Sequence, residues 1–270
     1  MLIESALTEI KKLQQLCELE DGIELKLNWD LLQMRKAEEK NDFFHYEGEE
    51  LIGFLAIYSF GNKAEICGMV HPNKRRQGIF RNLLTEALKE LETRTYHTIL
   101  LNTPTQSNSG KAFAEQVGSY SFSEYQMAWE KKDLVQKDSQ VSIRSAEKGD
   151  LEFIIDLDAD CFHMEKREAA LMYEHVGIAG SVIIEHDGSM VGKLRWHVED
   201  DESWIYGLAV VPKEQGKGFG RGALIQAVLE EAEKGQKIFL EVVPENEHAL
   251  RLYQSCGFKQ VSVQDYYDMK

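Results

Sequence analysis

The sequence predicts an α/β protein of two tandem domains, each a mixed, mostly antiparallel sheet flanked by helices. Three observations lead there. First, VVPKEQGKGFGRGALI (210–225) aligns without a gap on VHPNKRRQGIFRNLL (70–84). An offset of 140 pairs Pro212 with Pro72, Gly218 with Gly78, Arg221 with Arg81 and Leu224 with Leu84, and an offset of 139 pairs Gly257 with Gly118. That period is too long for a solenoid unit. Second, both halves show the same order of strand-like and helix-like runs. Third, KKDLVQKDSQ (131–140) is polar and free of aromatics, as a linker is. These place the domains at 1–132 and 141–270, joined by 133–140.

The elements follow from periodicity. Residues 2–19 carry Leu2, Ile3, Ala6, Leu7, Ile10, Leu13 and Leu16 at helical spacing, and this helix is expected to be an added packing element. From about Gly22 the first half runs in the common order, with FFHYEGEELIGFLAIYSF as its hairpin. In the second half VSIR (141–144) is a short strand. Gly149–Phe162 is helical, with Leu151, Ile154, Ile155 and Leu157 on its apolar side, and a second helix covers 165–175. SVIIEHDGSMVGKLRWHV is a hairpin turned by Asp187-Gly188. SWIYGLAVV is the next strand. A glycine-rich loop then opens a helix with Leu224, Val228, Leu229 and Ala232 on one side. KIFLEVV, a helix over Asn246–Cys256 and FKQVSVQDYYDM complete the domain.

Composition narrows the function classes. In 270 residues the formal net charge is −15, which argues against a nucleic-acid partner and suits a cationic one. No apolar stretch approaches the ~18–20 residues of a membrane span. The start MLIESALTEIKKLQQL lacks the pattern of a signal peptide. Cys17, Cys67, Cys161 and Cys256 are scattered, and neither they nor His163, His175, His186, His197 and His248 show metal-ligand spacing. The expectation is a cytoplasmic protein with reduced thiols and no metal.

A strand, a glycine-rich loop and a helix N-terminus make an anion cradle from free N–H groups and the helix dipole. The loop is not a P-loop, because GxxxxGK[ST] is absent. It is not a dinucleotide fingerprint either, because GxGxG at 216–220 lacks the GxGxxG spacing.

The loop Gln215-Gly216-Lys217-Gly218-Phe219-Gly220 matches [QR]xxGx[GA]. Asn246, Ala249, Tyr253, Gly257 and Phe258 match NxxAxxxYxxxGF. Together they resemble the GCN5-related N-acetyltransferase (GNAT) superfamily, over essentially all of 141–270. The resemblance implies tandem GNAT-like acyltransferase domains with acetyl-CoA as co-substrate. It implies that N–H groups of about 216–221, with Lys217 and Arg221 adding positive charge, hold the pyrophosphate. It also implies that the strand ending in Leu208, Ala209 and Val210 pairs with the pantetheine amides, and that Asn246 touches the pantetheine arm.

Thioester aminolysis needs a proton acceptor for the amine and a donor for the thiolate. Tyr253 is the expected acid. LEV at 240–242 resembles the ribosomal-protein N-terminal acetyltransferases, in which the strand glutamate twelve residues before the tyrosine is the base. This points to Glu241, with Glu202 or a water relay as alternatives. The acceptor is a small-molecule or peptide amine of unread identity. A non-catalytic acyl-CoA sensor or scaffold is the alternative function. A third reading, transfer from charged tRNA, is opposed by the acidity and the intact loop.

The first half departs from the motif. Gly220 is matched by Phe80, expected to crowd the cradle, and Tyr253 is matched by Ala114. Asn246 is matched by Ser107 and Glu241 by Asn102. The expectation is a degenerate, non-catalytic domain.

Overall fold

The computed structural model describes residues 4–35, 39–130 and 140–269. The chain divides into two compact units, residues 1–123 with 262–270, and residues 124–261. The expected linker at 133–140 lies, except for Gln140, outside the described residues.

The first unit opens with α1 (Glu4–Asp21) and α2 (Trp29–Gln33). The strands β1 (Asp42–Glu47), β2 (Glu50–Phe60) and β3 (Lys63–Val70) form an antiparallel meander. A 3-10 turn at Pro72–Lys74 leads to α3 (Ile79–Leu91). Then come β4 (Thr98–Pro104), parallel to β3, α4 (Asn108–Val117) and the start of β5 (Gly118–Trp129). One sheet face packs Ile52, Ile57 and Ile66 against Leu83, Leu84 and Ala87 of α3. The other packs Phe54, Tyr58 and Met69 against Ile10, Leu13 and Cys17 of α1.

The second unit repeats this plan. β6 (Ser142–Ser145) and a 3-10 turn at Lys148–Asp150 precede α5 (Leu151–Phe162) and α6 (Lys166–Val176). The strands β7 (Ser181–His186), β8 (Ser189–Glu199) and β9 (Glu202–Val210) again run antiparallel. The β7–β8 turn places Asp187 and Gly188 at φ 48° and 73°, the tight-turn geometry that Asp-Gly predicts. A 3-10 turn at Pro212–Glu214 leads to α7 (Phe219–Glu233), then β10 (Lys237–Val242), α8 (Glu247–Ser255) and β11 (Phe258–Met269).

Two features differ from what periodicity suggests. The helix expected to be an addition, α1, is the counterpart of α5. Cys17 Sγ lies 3.5 Å from the Val70 carbonyl oxygen, and Cys161 Sγ lies 3.5 Å from that of Val210, its partner in the repeat. The last strand of each repeat is also shared out. In the first unit β4 pairs antiparallel with Gln264–Asp268 of β11. In the second, β10 pairs antiparallel with Tyr125–Ala128 of β5.

Candidate active site

β9 and β10 are parallel and pair only from Glu202 with Lys237 to Ile205 with Leu240. The ladder ends there, and among the described residues Gly207–Val210 of β9 do not pair with β10. On its other side β9 is bulged. Lys193 pairs with Ala209 and Arg195 with Tyr206, so Leu194 stands opposite both Gly207 and Leu208. Gly207 has φ 54°, a conformation that a glycine adopts at little cost. Ala209 is buried. The Val210 carbonyl accepts a hydrogen bond from Gln215 Nε2 at 3.0 Å, which ties the strand end to the loop.

The loop is an open cradle. Gly216 and Gly218 have φ 77° and 87°, and a Cβ at either would meet nothing within 4 Å. Gly218 is the N-cap of α7 with no side-chain cap, so the first N–H groups of that helix face outward. Phe219 turns inward and is buried, while a Cβ on Gly220 would press on Val210 Cγ2 at 3.3 Å. Lys217 is exposed and pairs with Glu214 at 2.7 Å, and Arg221 hydrogen-bonds Ser255. A backbone that approaches a diphosphate needs these open positions, so the residues fit the phosphate end of acetyl-CoA.

Asn246 caps α8, its Oδ1 accepting from Ala249 N at 3.1 Å. Its amide nitrogen makes no hydrogen bond among the described residues. Two turns on, Tyr253 packs beside Leu240 and Val242, with its ring edge-on to Phe258 at 6.2 Å. Burial pushes its phenol up to about 12. Its hydroxyl has no hydrogen-bond partner among the described residues.

Glu241 is half-buried and accepts a hydrogen bond from Gln126 Nε2 at 3.1 Å. Along β10, Ile238, Leu240 and Val242 face α7 and α8, so Phe239 and Glu241 lie on the opposite face. Tyr253 and Glu241 therefore border the same gap from opposite sides of the sheet. Glu202 begins β9 and accepts from Trp204 Nε1 at 3.0 Å. Four residues separate it from Tyr206, about 13 Å at ~3.3 Å per residue, so it stands away from the gap.

In the first unit Phe80 does not fill the loop. Its ring packs edge-on against Phe113 at 5.1 Å and lies against Gly68, where an added Cβ would come within 3.0 Å of it. The repeat pairs Gly68 with Leu208 and Phe80 with Gly220, so large and small side chains have exchanged places. Gly78, at φ 85°, remains open.

The acetyltransferase (GNAT) family model matches residues 7–118 and again 151–258. The chain belongs to this family. As a GNAT protein it is an acyltransferase with acetyl-CoA as co-substrate, carried on two tandem domains. It is 30% identical over 115 residues to the [ribosomal protein bS18]-alanine N-acetyltransferase of Escherichia coli (strain K12), which is 39% of this chain and 77% of that protein. The Haemophilus influenzae protein of the same name is 37% identical over 68 residues, 25% of this chain and 46% of that protein. Among solved structures, a GCN5-related N-acetyltransferase from Sphaerobacter thermophilus has a TM-score of 0.73 at 17% identity, covering 96% of this chain and 91% of that one. A tandem GNAT protein from the clavulanic acid biosynthesis pathway has a TM-score of 0.71 at 15% identity, covering 98% and 95%. These two likenesses speak for the fold alone. Among the described residues no His, Cys, Asp and Glu group could hold a metal, and no helix is long and apolar enough to cross a membrane.

Sequence reasoning missed one cluster of this GNAT protein. Lys193 of β8 pairs with Asp158 of α5 at 2.6 Å, with 4% and 3% of their side chains exposed. Tyr173 of α6 donates to Asp158 Oδ2 at 2.7 Å. A Cβ on Gly207 would lie 3.0 Å from Lys193 Nζ, so the ammonium fills the space beneath the β9 bulge. The available signal was Asp158 itself, four residues after Ile154 on an apolar helix stripe.

Proposed function

We propose that residues 141–270 transfer an acetyl group from acetyl-CoA to a primary amine by direct attack on the thioester, while residues 1–132 are non-catalytic. The observation that supports this is the gap between β9 and β10, bordered by Glu241 on one face and Tyr253 on the other. The loop 215–221, the free edge at Leu208–Val210 and Asn246 hold the co-substrate. The amine nitrogen forms the new C–N bond as the C–S bond breaks. Glu241 takes the amine proton, and the Tyr253 hydroxyl gives its proton to the departing thiolate and regains one from solvent. N–H groups at the bulge are the donors to the oxyanion in this reading.

The bS18-alanine relatives favour a peptide or protein N-terminal amine over a small polyamine. The four cysteines form no disulfide among the described residues, which favours a cytoplasmic setting.

The test is an amine panel, including peptides with N-terminal alanine, read by release of CoA thiol, with Tyr253→Phe alongside. The expected result is a fall in turnover of about 100-fold, the usual worth of a proton donor, with unchanged CoA affinity. Unchanged turnover would remove Tyr253 from the reaction. No thiol release with any amine of the panel would favour the non-catalytic sensor.

A further inference from the structure

One cross-strand row of the second unit runs over four strands. Ser181 of β7 pairs with Arg195 of β8, and Arg195 pairs with Tyr206 of β9. Tyr206 follows Ile205, whose partner Leu240 precedes Glu241 on β10. Residues paired across strands share a face, and the next residue along takes the other. Val182, Leu194, Ile205 and Leu240 pack in the clusters built on α7. Ser181, Arg195, Tyr206 and Glu241 therefore all lie on the opposite face. We infer that Arg195 is a specificity-determining residue of the acceptor site, its guanidinium binding a carboxylate that the acceptor carries close to its reacting amine. The inference rests on the reading of Glu241 as the base.

The state of Arg195 carries the first part of the argument. Its side chain is half-buried, and its enclosed Nε has no hydrogen-bond partner. Arg195 makes no ion pair or hydrogen bond among the described residues. An arginine drawn out of water is normally paired, and an orphaned buried donor calls for a partner. The sheet supplies none. The row neighbours are a serine and a tyrosine, and two residues away along β8 stand Lys193 and His197. The nearby Asp158 carboxylate is engaged by Lys193 at 2.6 Å and by the Tyr173 hydroxyl at 2.7 Å. The chain has 46 acidic residues against 31 basic ones, so an arginine left without an acid is conspicuous here.

Ser181 carries the second part. It is 3% exposed, and its Oγ also has no hydrogen-bond partner. A guanidinium beside a hydroxyl suits a carboxylate, which accepts through two oxygens. An apolar group would leave both donors unpaired, and a cation would meet the Arg195 charge.

Spacing sets the acceptor. Neighbouring strands lie ~4.8 Å apart, so two spacings put the Cα atoms of Arg195 and Glu241 about 10 Å apart. An extended peptide advances ~3.3–3.6 Å per residue. A peptide whose N-terminal amine reaches Glu241 thus brings its second or third side chain to Arg195. The acceptor class is a peptide amine with an acidic residue at one of those two positions.

The test is calorimetric titration of the full chain, with coenzyme A present, by two peptides amidated at the C-terminus. One begins Ala-Asp-Asp and the other Ala-Asn-Asn. The acidic peptide should bind about tenfold tighter or better, the worth of a charge-assisted hydrogen bond. Arg195→Met should bring the ratio below about twofold. Arg195→Glu should reverse the preference, binding a peptide that begins Ala-Lys-Lys more tightly than the acidic one, and a misfolded chain cannot give a reversal. Equal binding of the acidic and neutral peptides by the wild type would overturn the inference. Binding of neither, or a ratio unmoved in Arg195→Met, would overturn it as well. Thiol release from acetyl-CoA with the same peptides tests the transfer reading separately. Preferential binding without release would uphold the part of Arg195 and remove that of Glu241.

Discussion

Lys193 and Asp158 form an ion pair at 2.6 Å in the interior of the second unit, between the β9 bulge and the helices α5 and α6. Desolvation lowers the Lys193 pKa, and the Asp158 charge opposes that fall. Such a pair contributes little compared with apolar residues of the same volume, but breaking it strands a buried charge. Asp158→Ala should therefore cost about 3–5 kcal/mol of unfolding free energy. Lys193→Met with Asp158→Leu should recover most of that loss. Urea denaturation of the single and double variants checks this, and a loss below about 1 kcal/mol for Asp158→Ala would contradict it.

Burial pushes the Tyr253 phenol up to about 12. A phenol is a donor below its pKa, so it stays protonated throughout the neutral and mildly alkaline range. The turnover profile should show no descending limb from Tyr253 below pH 10. A limb with an apparent pKa of 10 or lower that vanishes in Tyr253→Phe would mean that the hydroxyl is far better solvated than its packing against Leu240, Val242 and Phe258 implies.

Glu241→Gln keeps a side-chain oxygen for Gln126 Nε2 but cannot accept a proton. Turnover should drop about 100-fold at pH 7 and recover in part by pH 9.5, where more of the acceptor arrives as free amine. An equal loss at both pH values would assign Glu241 a structural part only.

Arg144 holds Asp150 through Nη1 at 2.7 Å and Nη2 at 3.1 Å, and Glu185 through Nε at 2.8 Å. The Asp150 carboxylate also accepts from Glu147 N at 2.8 Å at the start of α5. The guanidinium hydrogen bond, helped by that backbone bond, holds the Asp150 pKa below its ordinary 3.8. A carboxylate with a depressed folded pKa stabilises fully above its unfolded value and loses that stabilisation as pH falls through the folded one. Asp150→Asn should thus cost on the order of 1 kcal/mol at pH 6, and the gap in Tm should close below pH 3. A gap independent of pH would show that the ion pair contributes nothing.

Much of the candidate site's local geometry was legible because its signals are short-range. Asn246 caps the helix that begins one residue later, and Tyr253 follows two turns on, so spacing alone puts both on one face of α8. Gly216 and Gly218 are glycine where the backbone turns left-handed, and that requirement is visible in the residue type. Arg76 shows the limit of this reasoning, since it adopts the same conformation without the residue that announces it. The expectation that Phe80 crowds the loop failed because its ring has room over Gly68, twelve residues earlier and visible only in the fold. Lys193 and Asp158 are thirty-five positions apart, and no local pattern joins them.

The sequence by itself determined the repeat, the element order, the family and the glycine-rich loop before α7. Periodicity, turn chemistry and capping each act within a few residues and leave their mark there. Only the tertiary structure decided that β4 is completed by β11 and β10 by β5, that Glu241 and Tyr253 border one gap from opposite faces, and that a cavity persists in the first unit. Ladder partners, burial and free space depend on residues far apart in the chain, and a strand's free edge hydrogen-bonds whichever backbone reaches it, whatever its place in the sequence.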